Sequence, residues 1–172
     1  MAVKAFLLRA VLLAFGIPLA GVASTSVESH SPTGPVILKV EGDIACTNVG
    51  DEAHFDRQML EQLPQHDFAT TTPWTDSQHH YEGPLMRDLL AYLGVEDGNV
   101  NVLALNGYEA EIPVSDFYDY DVILALKRDG ETIPVREYGP LWVLYPFDQD
   151  DALLSEKMRF RAVWQVMLIN VL

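Results

Sequence analysis

The stretch GPLWVLYPFD, residues 139–148, carries the residue types best suited to hold a flat ligand. Its opening Gly-Pro pair is stiff, because glycine adopts backbone angles denied to other residues and proline fixes its own φ angle. Pro146 ends any strand that begins after that turn. Trp142, held in this way, offers a stacking face to a planar ring. The same letters also fit an ordinary buried strand over 141–145, so the stretch alone leaves both interpretations open.

Other aromatic residues lie outside ordinary strand periods and could surround such a ring. Together with Arg87 and Arg136 they suit a planar, polar heterocycle, because aromatic faces stack on a ring and a guanidinium donates to its oxygen. Several could instead be core or interface residues. The aromatic set is Trp74, Tyr81, Tyr118, Tyr120, Tyr138, Trp142 and Tyr145.

The remaining polar clusters favour no common catalytic chemistry. His79-His80 lies in a polar stretch, but no spaced set of Cys, His or Glu completes a metal site. The aspartates of 148–151 lack the twelve-residue calcium loop with its central Gly and final Glu. The chain contains no GxSxG, GxGxxG or GKS/GKT motif. Serine hydrolysis and nucleotide hydrolysis therefore have no support in the sequence.

The first residues have the order of a secretory signal. Lys4 and Arg9 precede an apolar stretch, 11–19, which leads to small residues. This stretch is shorter than the roughly 20 residues of a membrane-spanning helix, so a retained anchor is the weaker interpretation and we expect cleavage after Ala23. There is no Arg-Arg pair and no cysteine at the cleavage point. We therefore expect Sec-type export to the periplasm, without direct membrane insertion after cleavage.

Length and charge define the rest of the organisation. We expect a signal peptide at 1–23, a flexible leader at 24–35, and one domain with one core at 36–172. After cleavage nine basic residues face 25 acidic ones, so nucleic acid and anionic lipid are poor partners. Cys46 is the only cysteine, so an intramolecular disulfide is excluded. We interpret Cys46 as a small buried apolar residue.

Hydrophobic periodicity predicts a domain in which strands predominate. Alternation predicts a first strand at 36–41, and helical spacing predicts helices from an N-cap at Asp51 to Pro64 and over 85–93, where Gly94 ends the run. The further predicted elements are a strand at 68–72, a hairpin over 100–112 that turns at Asn106-Gly107, a short helix at 114–119 capped by Ser115, a strand at 122–126 followed by a turn at Asp129-Gly130, and a long last strand at 161–171. The predicted class is α+β.

Five motifs follow one another along the chain in a specific order. They are TTTPWTDSQHHYEGPLMRDLL (70–90), the hairpin strands around Asn106, DYDVILALKRDG (119–130), VREYGPLWVLYPFD (135–148) and RAVWQVMLINV (161–171). Together they resemble the oxidoreductase molybdopterin-binding domain of the sulfite oxidase type. This resemblance implies a single-domain, mixed, mainly β fold. It also implies a pterin-sized cleft lined by the loops after Thr72 and around 138–145.

The resemblance also identifies a departure at the metal. Enzymes of that family hold molybdenum by a cysteine thiolate, which the spacing ahead of Trp74 places at or near Thr70. A hydroxyl replaces a soft thiolate ligand poorly, and Cys46 lies too early in the pattern. The phosphate of molybdopterin usually needs several Lys or Arg side chains, and the loaded cofactor needs a twin-Arg signal for export. The nine basic residues of the mature chain are spread over the domain and outnumbered by 25 acidic ones, and no twin-Arg signal is present.

A free pterin, reduced or oxidised, meets neither objection. The resemblance extends to short exported pterin-binding proteins of this fold that lack the metal ligand and act as regulators. We therefore expect a non-catalytic periplasmic pterin-binding protein without a covalent cofactor. By the same resemblance, its ligand changes contact with the periplasmic part of a membrane signalling protein.

The predicted pterin site has one principal residue and several accompanying ones. Trp142 is expected to stack on the ring. The accompanying residues, carried over because they lie on matching loops, are Arg87, Arg136, Thr72, Trp74, Tyr138 and Tyr145. One alternative is a molybdopterin-dependent oxidoreductase of the sulfite oxidase type, in which a partner or an unusual ligand supplies what Thr70 lacks. Another is an interaction domain with an empty cleft.

Overall fold

The structure is a computed structural model that describes residues 31–172. The predicted signal peptide, 1–23, and most of the predicted leader lie outside the described residues. Within residues 31–172, no helix has both the length and the apolar character needed to cross a bilayer.

The described residues form a mixed domain in which strands predominate, which confirms the predicted α+β class. The strands are β1 (Val36–Gly42), β2 (Ala53–Asp56), β3 (Gln65–Thr70), β4 (His79–Pro84), β5 (Asn99–Ala104), β6 (Glu109–Pro113), β7 (Ile123–Ala125), β8 (Lys127–Arg128), β9 (Glu131–Thr132), β10 (Trp142–Leu144) and β11 (Val166–Val171). The helices are α1 (Arg57–Gln62), α2 (Met86–Tyr92), α3 (Ser115–Asp119) and α4 (Glu156–Arg161), with 3-10 turns at Val135–Glu137 and Asp151–Leu154.

The larger sheet is built around the last strand of the chain. Its order is β2-β1-β11-β5-β6, with β11 parallel to β1 and antiparallel to β5. In β5 buried and half-buried residues alternate, as expected of a strand with one face on the core. The hairpin of β5 and β6 turns at Asn106-Gly107, as predicted, with Gly107 at φ +81.

A second group of strands carries the loops of the candidate site. Four strands pair in the order β3-β4-β8-β9, and β10 pairs antiparallel with β7. The two sets meet closely at Gly83, where an added Cβ would lie 2.0 Å from the carbonyl oxygen of Leu124. Glycine at this point lets β4 approach β7 with no side chain between them.

The prediction of a helix from Asp51 to Pro64 is wrong for its first half. Residues 53–56 form β2, in which Ala53 and Phe55 are buried beside β1. Asp56, rather than Asp51, caps α1 by accepting from the amide of Met59 at 2.9 Å. The spacing of Phe55 and Met59 fits a helix, but pairing with β1 gives the backbone of Phe55 its hydrogen bonds instead.

Three other local predictions need correction. The predicted strand at 161–171 is shorter, because α4 continues through Arg161 and β11 begins only at Val166. Ser115 is the first residue of α3 and makes no capping hydrogen bond. His79 and His80 lie in β4, and each ring is within 2.8 Å of an aspartate, Asp129 or Asp67.

The core lies between the sheets and under α2. Its largest fully buried side chains include Trp142, Tyr81, Tyr145, Phe117 and Phe147. Cys46 is half-buried on the loop between β1 and β2 and packs against the core, so the predicted burial is only partial. This loop is held by the amide of Ala45, which donates to the carbonyl of Leu93.

Candidate functional site

Six aromatic side chains from distant parts of the chain meet at one end of the second strand group. We call them the aromatic cluster: Trp74, Tyr81, Tyr138, Trp142, Phe147 and Trp164. The ring centroids of Trp74 and Trp164 are 5.0 Å apart in an edge-to-face arrangement. Those of Tyr138 and Trp142 are 4.8 Å apart with only 30° between the planes. Such arrangements add to the stability that burial provides.

Short loops and one strand bring these rings together. Trp74 lies on the loop between β3 and β4, and Trp142 opens β10. Trp164 follows α4 and pairs with Trp142 through an isolated antiparallel bridge. Tyr138 precedes Gly139, where an added Cβ would be 1.9 Å from the carbonyl oxygen of Ile133. Only glycine fits this close approach of two backbones, which sets the position of Tyr138.

Trp142 lies inside this cluster rather than on a shelf. Its side chain has 0% exposed surface, and the ring of Tyr138 covers it. The expectation that Trp142 offers an open stacking face is therefore wrong for this arrangement. The other interpretation weighed for the stretch, a buried strand, fits β10, whose three residues are all buried.

A groove of about 460 Å³ opens beside the cluster, against Trp74 and Trp164. We call it the tryptophan groove. The aromatic residues Tyr108 and Phe160 also line it, and both are exposed, at 41% and 57%. The hydroxyl of Tyr108 donates to the carbonyl of Phe160 at 2.8 Å, which joins the β5–β6 hairpin to α4. The other lining residues are Pro73, Asn106, Glu156, Arg159 and Ala162.

A second, shallower hollow adjoins the first and shares Pro73 and Arg159 with it. Thr72 lines this hollow, and its hydroxyl accepts from the amide of Trp74 at 3.3 Å. Arg159 is exposed and is the basic residue common to both hollows. The geometry offers aromatic faces for a flat ring and one guanidinium for an oxygen of that ring.

The loop that carries Trp74 is fastened by Asp148. The carboxylate of Asp148 accepts from the backbone amide of Thr71 at 2.7 Å, from the hydroxyl of the same residue, and from the side-chain Nε2 of Gln78 at 3.1 Å. Its own amide donates to the hydroxyl of Thr70 at 3.1 Å. Although partial burial opposes the charge, these hydrogen bonds hold the pKa of the Asp148 carboxyl below its usual range.

Thr70 lies at the end of β3 with no exposed surface. Its hydroxyl donates to the carbonyl of Thr71 at 2.9 Å and accepts from the amide of Asp148. Both hydrogen-bonding roles of this hydroxyl are therefore used by the backbone around it.

Of the seven predicted site residues, Trp74 alone lines the groove, and Arg87, Arg136 and Tyr145 belong neither to the groove nor to the aromatic cluster among the described residues. Arg87 on α2 forms an ion pair with Asp121 at 2.7 Å and donates to the carbonyl of Phe117. The side chain of Arg136 is 84% exposed and lies near Glu137. Neither arginine lines the tryptophan groove.

Tyr145 belongs to a buried polar network instead. Its hydroxyl donates to Asp116 at 3.0 Å, and Arg161 donates to the same carboxylate oxygen at 2.7 Å. Burial, reinforced by the adjacent Asp116 charge, raises the pKa of the Tyr145 hydroxyl far above its usual range. This network joins α3, α4 and the end of β10, so its role in the structure is to hold elements together.

Of the predicted residues, the structure brings together Trp74, Tyr138 and Trp142, with Thr72 at the adjoining hollow. Sequence reasoning missed Trp164, Tyr108, Phe160 and Arg159. Trp164 was inside the quoted motif RAVWQVMLINV, and its position among strand-like residues concealed its role. Phe160 and Arg159 belong to α4, an element that the strand prediction at 161–171 did not anticipate.

Comparison with known protein families identifies the family of this chain. No curated protein matches the chain. The sequence profile of the family described as oxidoreductase molybdopterin binding domain matches residues 39–147, more than half of the chain. This range contains Trp74, Tyr138 and Trp142, while the α4 side of the groove, with Arg159 and Phe160, lies beyond it. The chain belongs to the oxidoreductase molybdopterin-binding domain family.

Proposed function

We propose that this protein binds a free pterin in the tryptophan groove and does so without molybdenum or catalysis. One observation carries the proposal. In a domain of a molybdopterin-binding family, an open aromatic groove lies beside the cluster, while the chain's only cysteine, Cys46, is on the β1–β2 loop, where the preceding residue, Ala45, donates to the carbonyl of Leu93. These observations support a site for the pterin part of the family's ligand, without a cysteine thiolate at Thr70 to hold its metal.

The residues near the groove do not fit a molybdenum ion held by protein. Thr70, where the resemblance puts the thiolate, is buried with its hydroxyl hydrogen-bonded on both sides. Among residues 31–172, no group of three His, Cys, Asp or Glu side chains is placed to hold a metal ion. Within residues 31–172, Arg159 is the basic side chain that lines the groove, whereas the phosphate of molybdopterin favours several.

The same groove fits a bicyclic heterocycle. Its volume of about 460 Å³ lies within the range of roughly 300–1,000 Å³ typical of small-molecule sites. Trp74 and Trp164 supply apolar ring surface, and Arg159 can donate to a ring oxygen. Asn106 and Glu156 can pair with the donors and acceptors of an amino-pyrimidinone edge. The ligand is a reduced or oxidised pterin that is not covalently attached.

The proposal includes location and role. Export to the periplasm is supported by the order of basic, apolar and small residues before Ala23. Regulation of a membrane signalling protein is supported by the resemblance to short exported regulators of this fold. Exposed Tyr108 and Phe160 line the groove, so a bound pterin would alter a surface that a partner could contact.

The first test identifies what the protein holds. Protein isolated from its native compartment is denatured in acid, the released small molecules are identified by mass spectrometry, and molybdenum is measured in the same sample. We expect a pterin in amounts approaching one per chain and no stoichiometric molybdenum. Absence of pterin, together with no binding of added pterin in titration calorimetry, would contradict the proposal.

The second test locates the site. Trp164→Ala removes an aromatic face of the groove and should weaken pterin binding by about 1–3 kcal/mol, by analogy with the stacking of nucleic-acid bases. Tyr118→Ala is the matched control, because Tyr118 is an exposed aromatic residue, at 50%, that does not line the groove. Equal affinities of the two folded variants would place the pterin elsewhere.

A molybdopterin-dependent oxidoreductase is the second candidate, and the family match is the observation that favours it. It requires that a partner protein or an unusual ligand supply the metal ligation that Thr70 lacks. Stoichiometric molybdenum in the isolated protein would support it and would contradict binding of a free pterin.

A further inference from the structure

Tyr138 occupies the position that a ligand ring would take on Trp142. Their centroids are 4.8 Å apart and their planes 30° apart, close to the offset stacking that aromatic rings adopt with planar ligands. The other rings within 6 Å of Trp142, those of Trp74 and Tyr81, are inclined at 58° and 83°. Of these neighbours, only Tyr138 stacks on a face of Trp142.

A buried donor lies without a partner beneath this cover. The indole Nε1–H of Trp142 has no hydrogen-bond acceptor among the described residues, although the side chain is fully buried. Buried polar groups are seldom left unpaired, because each forfeits its hydrogen bond with water. The hydroxyl of Tyr81 is also buried without a well-formed hydrogen bond in the described part of the chain, though Thr75 is near enough to affect its pKa. Two polar groups around Trp142 therefore lack normal partners.

The Tyr138 side chain is held by a hydrogen bond and by ring contacts with Trp142 and Trp164, and its carbonyl accepts from the amide of Gln165 at 3.0 Å. Its hydroxyl donates to the carbonyl of Trp74 at 2.9 Å, and its side chain is only partly buried. Its φ of +78 is in the left-handed region, which is unfavourable for a residue with a Cβ. The segment before it is open to solvent, with Val135 at 53% exposure and the Arg136 side chain at 84%.

We infer that Tyr138 is a displaceable cover over an inner binding position on Trp142, and that the ring of a polar heterocycle binds there by taking its place. The ring stacks on Trp142, and a polar atom of the ligand that reaches past the indole edge accepts from Nε1–H. Trp74 and Trp164 line the groove, and both of their rings contact Trp142. Tyr138 contacts the ring of Trp164 and donates to the backbone carbonyl of Trp74. The inner position therefore adjoins the tryptophan groove.

This inference rests on the proposed function and makes it more specific. Pterin in the outer groove alone would leave Tyr138 in place and Trp142 unchanged. Pterin in the inner position must displace Tyr138, so the affinity observed for the wild-type protein is reduced by the fraction of molecules in which the cover is closed. The two positions therefore differ in whether the bound pterin contacts Trp142.

The test follows the indole N–H resonances with 6-hydroxymethylpterin as the probe. The chain has three tryptophans, so Trp74→Phe and Trp164→Phe variants identify the Trp142 signal by elimination. Calorimetry on the wild-type protein first establishes binding. We then expect the Trp142 indole proton to move downfield on saturation, because it gains an acceptor. Binding that leaves this resonance unchanged would overturn the inner position while the proposed function stands; no binding at all would remove both.

Substitution of Tyr138 supplies the second readout. Tyr138→Gly removes the cover and also relieves the positive φ, so we expect the dissociation constant for the probe to fall about tenfold. Tyr138→Phe is the matched control, since it keeps the ring on Trp142 and loses only the hydrogen bond to Trp74. Its dissociation constant for the probe should lie between those of the wild-type protein and Tyr138→Gly. Weaker binding by folded Tyr138→Gly would show that Tyr138 is a wall of the site and would overturn the inference.

Discussion

At the scale of single residues, the polar side chains of this protein mostly hold elements in place. Arg87, Tyr145 and Arg161 each have a specific partner in the fold, so residue type alone was a poor guide to the ligand site. A guanidinium or a phenol hydroxyl donates hydrogen bonds to a ligand in the same way as it donates them to Asp116 or Asp121. Which of the two it meets depends on residues distant in the sequence.

The Tyr145 network gives a residue-scale prediction. Tyr145→Phe removes a buried hydrogen bond to the Asp116 carboxylate and should lower the free energy of unfolding by about 1.5–3 kcal/mol. Pterin affinity should change little, because Tyr145 does not line the groove. Denaturant unfolding and calorimetry on the same variant separate the two effects. A large loss of affinity in a stably folded Tyr145→Phe protein would restore Tyr145 to the site.

Asp148 gives a prediction about pH. Its folded pKa is lower than the unfolded value of about 3.9, so the loop contacts it makes are fully favoured above that value and are lost as pH falls through the folded pKa. We therefore expect the loop that carries Trp74 to loosen as the pH falls beneath the unfolded pKa and through the lower folded pKa of Asp148, seen as a change in tryptophan fluorescence before global unfolding. Asp148→Asn should show the loosened signal already at neutral pH. A variant identical to wild type at both pH values would exclude this role.

At the scale of elements, local pattern predicted strands and turns better than helix boundaries. The first strand, α2 with its terminal glycine, and the Asn106-Gly107 hairpin follow from periodicity and turn chemistry. The helix from Asp51 was wrong because Phe55 fits both periods, and pairing of β2 with β1 decides between them. α4 was missed for a similar reason. Within α4 Met158 is the buried residue, which leaves little helical pattern to detect.

The segment before β10 gives an element-scale prediction. Gly139→Ala would place a Cβ 1.9 Å from the carbonyl oxygen of Ile133, so the backbone must shift at a cost of roughly 2 kcal/mol or more. Because Tyr138 precedes this glycine, pterin affinity should change along with stability.

The control for this change is Gly34→Ala, whose new Cβ would meet Asp56 at an ordinary 3.4 Å. Thermal unfolding and calorimetry on both variants check the result. Equal stability of the two would show that the chain near Gly139 is less constrained than its contacts imply.

At the scale of the whole molecule, the C-terminal segment completes the fold. β11 is the middle strand of the five-stranded sheet and is paired on both sides, by β1 and by β5. A terminal strand in this position cannot fray without opening the sheet, because both neighbours would lose their hydrogen bonds. Its pairing on both sides therefore places β11 in the interior of the sheet rather than at an edge.

Truncation tests this placement. Deleting residues 166–172 should prevent cooperative folding, whereas deleting Leu172 alone, which is 56% exposed, should cost little. Far-ultraviolet circular dichroism with a urea titration measures both. A cooperative transition in the longer truncation would mean that β1 and β5 can pair without β11.

The sequence by itself determined the α+β class, most of the strands and the family, and it identified 139–148 as an aromatic motif. Periodicity, turn residues and motif order can all be read along the chain without the fold. Only the tertiary structure decided which rings are reachable. Trp142 is buried under Tyr138 and the groove is completed by Trp164 and α4, because accessibility depends on which distant segments pack together. A sequence records that an aromatic residue is present, whereas the packed fold determines whether solvent, another side chain or a ligand covers its face.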